Sequence, residues 1–284
     1  NNNYFYETGF QGNMSIEKDR CVPSRVRTRG KMAVMKGSCY LGAMGWSYKF
    51  WSEIYPRGTK STDYLSYYSK HFNSVEINSS FYRIPSRKAV MNWSALVPHD
   101  FRFTAKFPQS ISHSPELKYE PGKLEAFLNN IALLEENLGV LILQLPPRLK
   151  VEHHPSLVKI LNELPDDFSY AVEFRNRGWF TEDVYKLLRE NDVALVQVEH
   201  PRLPTTTELT ADHIYIRWEG DRKVVNGEKG VVELDRSEDN HRWANQINEL
   251  LDSGHEVFGY FSKFYSGYPP ADIWQITDLL RNFK

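Results

Sequence analysis

Val172-Glu173-Phe174-Arg175 closes a stretch, residues 169–175, that starts as an apolar strand and finishes in charge. Strand side chains alternate faces, so Glu173 and Arg175 share one face while Val172 and Phe174 share the other. Val75-Glu76-Ile77-Asn78 repeats the device upstream, with Glu76 and Asn78 on one face. Charges are rarely buried without a partner or a task. The ends of these two strands are therefore where a site is expected.

Working outward, short apolar runs alternate with helical patterns from Ser38 onward. Strands are predicted over 40–44, 74–79, 101–106, 139–145, 169–175, 194–199, His213–Trp218 and 256–262. Helices are predicted over 64–71, 87–96, 123–137, 155–164, 181–191, 238–251 and 271–281, with Thr181 capping its helix ahead of acidic residues. His153-His154 reads as loop. Eight strands alternating with helices in about 250 residues is the count of an α/β (β/α)8 TIM-like barrel. A doubly wound sheet is the alternative, but no Gly-rich phosphate loop follows the first strand. The barrel is expected as a single domain over residues 38–284. In the connection 220–240, Asn226-Gly227 follows a β-branched run and predicts a tight hairpin at the barrel mouth, as lid or decoration.

Residues 1–37 differ in character. They open with three Asn, lack periodicity and carry Arg20, Arg25, Arg27, Arg29, Lys31 and Lys36. They are expected to be a disordered extension, with a basic arm for nucleic acid or lipid as the alternative. The whole chain has a formal net charge of -1, so no global field steers it to nucleic acid or a membrane. No apolar run approaches membrane-span length. With 7 Trp, 16 Tyr and 16 Phe, the chain can bury a large core. The two cysteines, Cys21 and Cys39, make no disulfide framework and no paired zinc spacing, so a cytoplasmic protein is expected.

A barrel demands functional side chains at the C-terminal ends of its strands. Those ends offer Glu76, Asn78, Lys106, Gln144, Glu173, Arg175, Glu199 and Arg217, with Lys263 beyond the eighth strand. Three carboxylates face three cations, a balance suited to a small polar or anionic ligand held by bidentate arginines. A structural ion-pair network is the competing explanation. Trp46, Tyr82 and Trp179 follow strands directly and are candidate stacking surfaces. His113, beyond the third strand, is the best-placed histidine for proton transfer. No nucleophile elbow, phosphate loop or His-Glu-x-x-His motif occurs. No metal site is expected: Glu76, Glu173 and Glu199 could hold a hard cation only against the neighbouring Arg and Lys.

At these residues the chain resembles the domain of unknown function 72 family, also called YecE-like. The resemblance rests on Gly45-Trp46-Ser47-Tyr48, Trp51, Tyr55-Pro56, Val75-Glu76-Ile77-Asn78-Ser79-Ser80-Phe81-Tyr82, Phe103-Thr104-Ala105-Lys106 and His113. It continues through Gln144-Leu145-Pro146-Pro147, Val172-Glu173-Phe174-Arg175, Trp179 and Tyr215-Ile216-Arg217. It implies a TIM-like barrel and no established reaction. Asn176, Glu199, Glu219 and Ser262-Lys263 depart from the family pattern.

The leading expectation is an enzyme, a hydrolase, lyase or isomerase without cofactor, acting on a small polar or anionic, sugar- or phosphate-like metabolite at the mouth. Glu173 would be the acid or base with Glu76 its carboxylate partner, and His113 would relay a proton. Lys106, Arg175 and Arg217 would hold ligand oxygens, with Asn78 and Gln144 orienting them. A ligand-binding module without chemistry and a metal-dependent nuclease-like barrel are the alternatives. Oligomeric state is left open.

Overall fold

The structure, a computed structural model, describes residues 36–282. The predicted extension thus lies outside the described residues, apart from Lys36 and Gly37, which bond to the 237–252 helix through Asn248, Asp252 and Leu251.

Strands β1 (Cys39–Ala43), β2 (Ser74–Ile77), β3 (Arg102–Lys106), β4 (Leu138–Gln144), β5 (Ser169–Glu173), β6 (Val193–Leu195), β7 (Gln197–Glu199), β8 (His213–Trp218) and β9 (Glu256–Phe261) pair throughout in parallel. Their order is β6-β5-β4-β3-β2-β1-β9-β8-β7. β6 and β7 are halves of the one strand predicted over 194–199, broken at Val196, whose amide still bonds to Val172 of β5. The first half pairs with β5 and the second with β8. One strand that changes partner therefore joins the two ends of the sheet, and the barrel has eight staves.

Alternation sorts the core into two parts. Outward residues such as Leu41, Val75, Phe103, Leu141, Val172 and Leu195 pack with the helices. Inward residues Val140, Ile142, Ala171, Ala194, Val196, Tyr215, Phe258 and Tyr260 form a separate cluster inside the barrel. Both faces of a parallel sheet are covered, which explains the near-continuous apolar runs. The helices found, among them Arg87–Ala95, Pro121–Ile131, His154–Glu163, Glu182–Glu190, Ser237–Asp252 and Pro269–Asn282, match the predicted set within a few residues at most ends.

Three local expectations are corrected. No strand forms between residues 219 and 236, so there is no hairpin. Instead the amides of Asn226 and Gly227 and the Lys229 ammonium converge on the Glu233 carboxylate, which organises the connection from within. Thr181 occupies the N-cap position of its helix, but its side chain makes no capping bond. His154 opens a helix rather than lying in a loop, because Pro155 is well suited to a first helical turn.

Candidate functional site

The parallel register carries the charged strand ends to one level. Gln144 lies opposite Glu173, and Val198 opposite Arg217. Arg217 points into the barrel from β8 and is 2 % exposed, while Glu76 and Glu173 are fully buried. Its Nε donates to Glu76 Oε2 at 3.0 Å and its Nη2 to Glu76 Oε1 at 2.9 Å, a two-pronged grip. Its Nη1 reaches Glu173 Oε2 and, at 2.6 Å, Glu219 Oε1. Arg175 pairs with Glu173 and Glu219 from the rim. One guanidinium thus bridges three carboxylates, and a second closes the group.

The remaining members hang from this core. Lys106 Nζ donates to Gln144 Oε1 at 2.7 Å, and Gln144 Nε2 donates to Glu173 Oε2 at 3.0 Å. Lys106 also lies over the Phe81 ring, 4.4 Å from its centre. Asn78 donates to Glu76 at 2.9 Å. Beneath them Tyr215 donates to Glu76 at 2.8 Å and meets Thr104, while Tyr260 meets Ser74.

The electrostatics follow from this geometry. Burial alone would raise the Glu173 carboxyl, but Arg175 and Arg217 outweigh it and hold Glu173 below the usual carboxylate range. The same contest, again won by Arg217 and Arg175, takes Glu219 down to about 2. Burial, helped by Arg217, lowers Lys106 to about 8. Burial also lowers His113 to about 4, with Lys106, Arg148 and Arg175 acting in the same sense, so its imidazole is neutral at neutral pH. The three carboxylates already hold guanidinium, so a cation among them would have to displace Arg217.

The structure brings together Glu76, Asn78, Lys106, Gln144, Glu173, Arg175 and Arg217. Trp46 stands beside them on a cleft of about 560 Å³ shared with Met44, Ser61, Asn78 and Trp93; Met44 touches Arg217 through its sulfur, at 3.3 Å. His113 is one ring removed, edge-on to Phe81 at 4.9 Å with Ser112 on its Nδ1.

Other candidates lie elsewhere. Glu199 faces outward, bonded to Trp243 and paired with Arg242 and Arg236, because the inward residues of its strand are Ala194, Val196 and Val198. Trp179 is fully buried, stacked on Phe174 and bonded to the Leu149 carbonyl, so it packs the core rather than lining the mouth. Tyr82 is 75 % exposed at the end of a short helix, bonded to none of the charged groups, with its ring edge-on to Phe81. Lys263 ties down Glu228 of the long connection.

The residue missed is Glu219, the true third carboxylate. It sits two positions beyond Arg217, so the period of two through Tyr215, Arg217 and Glu219 was the signal available.

The comparisons agree with this architecture. A family profile described as "Protein of unknown function DUF72" matches residues 40–284. UPF0759 protein YecE of Escherichia coli strain K12 is 31 % identical over 206 residues, covering 64 % of this chain and 74 % of YecE. UPF0759 protein YunF of Bacillus subtilis strain 168 is 25 % identical over 267 residues, covering 85 % of this chain and 94 % of YunF. A crystal structure of a DUF72 family protein from Thermotoga maritima MSB8 superposes with a TM-score of 0.73 at 27 % identity, covering 86 % of this chain and 99 % of that one. Another, from Enterococcus faecalis V583, has a TM-score of 0.72 at 23 % identity over 86 % and 95 %, a likeness of fold. A match running from the first strand to the last residue, through every strand that supplies the charged cluster, places this chain in the DUF72 family.

Proposed function

We propose that the barrel mouth binds a small, polar, anionic metabolite and acts on it as an enzyme. One observation carries this reading. Six charged groups from the strand ends are gathered at the C-terminal mouth, where each costs several kcal/mol to desolvate and a hydrophobic layer would close the barrel as well. Arg175 and Lys106, at the edge of the cluster, are the groups placed to meet the ligand, Arg175 through the ligand's oxygens. Asn78 and Gln144 orient it, and Trp46 offers a flat apolar surface. Glu173 and Glu76 pair with the arginines and steady them, with Glu173 as the base candidate and His113 as a neutral proton relay.

The held-down carboxyls of Glu173 and Glu219 favour a second reading, a binding module without chemistry, since neither is poised to give up a proton near neutrality. Thermal-shift titration with phosphosugars and sugar acids tests both. The expectation is saturable stabilisation of the wild type, at least tenfold weaker binding in Arg175→Met and Trp46→Ala, and product on long incubation. Stabilisation without product selects the binding module. If no compound shifts the wild type, or the variants bind as well, the mouth is not the site.

A further inference from the structure

Lys106 stands apart from the other cations of the mouth. It is the only buried lysine among the described residues, 8 % exposed and inward-facing at the end of β3. The carboxylates Glu76, Glu173 and Glu219 are all engaged by Arg217 or Arg175. The hydrogen-bond partner of Lys106 is instead a neutral amide oxygen, on Gln144. A lysine locked to a carboxylate is stabilised as ammonium; one held by an amide and an aromatic face can shed its proton without stranding a buried anion. Arginine has no such option, because its guanidinium does not deprotonate in proteins. The cluster therefore divides its labour between two permanent cations and one amine.

We propose that Lys106 is a nucleophilic amine that captures the aldehyde or ketone carbon of a small anionic substrate as an imine. This rests on the proposed use of the mouth and names the substrate class, a carbonyl compound bearing a carboxylate or phosphate. The Nζ lone pair forms a C–N bond to the carbonyl carbon, and the carbonyl oxygen takes a proton from nitrogen to give the carbinolamine. The C–O bond then breaks, the oxygen leaves as water with one further proton, and an iminium remains; addition of water reverses the sequence. Arg175 at the rim holds the anionic group. With Lys106 lowered to about 8, roughly a tenth of it is free amine at pH 7, far more than for an exposed lysine.

Borohydride trapping tests this on the full-length protein. Glyoxylate, pyruvate, dihydroxyacetone phosphate and glyceraldehyde 3-phosphate are each mixed with the protein and sodium borohydride, and adducts are mapped by peptide mass. The expected result is a reduced adduct on the Lys106 peptide, with occupancy about tenfold above any surface lysine, and its loss in Lys106→Met. Because the map is made on wild type, a variant that folds poorly does not blur it. Absence of a Lys106 adduct with every probe, or labelling spread over exposed lysines, overturns the proposal. Glycerol 3-phosphate and lactate, which cannot form imines, are run in parallel by thermal shift. If they stabilise the protein and nothing is trapped, the amine role fails while the mouth remains a binding site; if neither occurs, both readings fall.

Discussion

At the scale of single residues, the mouth is governed by Arg217. Its planar fork grips Glu76 and reaches Glu173 and Glu219 at once, which a lysine could not do. Glu219 gives this a measurable consequence. Its carboxyl is drawn from 4.5 to about 2 in the folded protein, so the unfolded chain binds the proton first as pH falls. The stabilisation is therefore complete above about pH 4.5 and is lost as pH drops toward 2. Urea unfolding at pH 6 and pH 3.5 should show wild type losing stability between the two, with Glu219→Gln losing less by about 1 kcal/mol or more. Equal losses would mean the pairing is too weak to matter. The neutral imidazole of His113 fits the same picture, since a cationic ring would add to the charge of Lys106, Arg148 and Arg175.

At the scale of elements, the strand broken at Val196 and the connection after β8 decide the shape of the mouth. The break lets one strand serve two neighbours, and its inward side chains are all apolar. The connection turns at Gly220, whose φ of +67° is left-handed, and an added Cβ would lie 2.0 Å from the Phe264 carbonyl oxygen. The chain then returns to bond Glu233 and Leu234 to the Ser266 carbonyl. Gly220→Ala should cost well over 1 kcal/mol, because positive φ and backbone overlap act together. In calorimetry this reads as a fall in Tm of several degrees. An unchanged Tm would show that the turn relaxes freely and does not brace Glu219, its neighbour.

At the scale of the molecule, the barrel interior mixes apolar and polar contacts. Apolar residues fill much of it, and the hydroxyls of Ser74, Thr104, Tyr215 and Tyr260 bond in pairs next to the charged mouth. Tyr215 links these hydroxyls to the mouth, meeting Thr104 at 2.9 Å and donating to Glu76 at 2.8 Å. Tyr215→Phe leaves Glu76 short of one donor in a fully buried place. The expected cost is about 1–3 kcal/mol in denaturant unfolding, with the fold unchanged by circular dichroism. A neutral substitution would show that Arg217 and Asn78 suffice for Glu76. Among the described residues, no helix is long and apolar enough to cross a membrane.

The barrel was legible because its signals are local. Alternation in β2, β5 and β8 placed Glu76, Glu173, Arg175 and Arg217 on the inward face, and strand–helix alternation counted the eight staves. The third carboxylate was misread. Gln197 and Glu199 make a polar face that pattern alone reads as inward, but it turns out to meet Gln246, Trp243 and Arg242 on the outer helix. Trp179 was misread for a related reason: following a strand does not say whether an aromatic ends in the mouth or between sheet and helix. By itself, then, the sequence determined which residues could be charged, which strands exist and where their ends fall, since these depend on residue type and a period of two. Only the tertiary structure decided which charges meet. Register, the partner change at Val196 and the turn at Gly220 are set by contacts between distant segments, and those contacts choose Glu219 over Glu199 and leave Lys106 with an amide instead of a carboxylate.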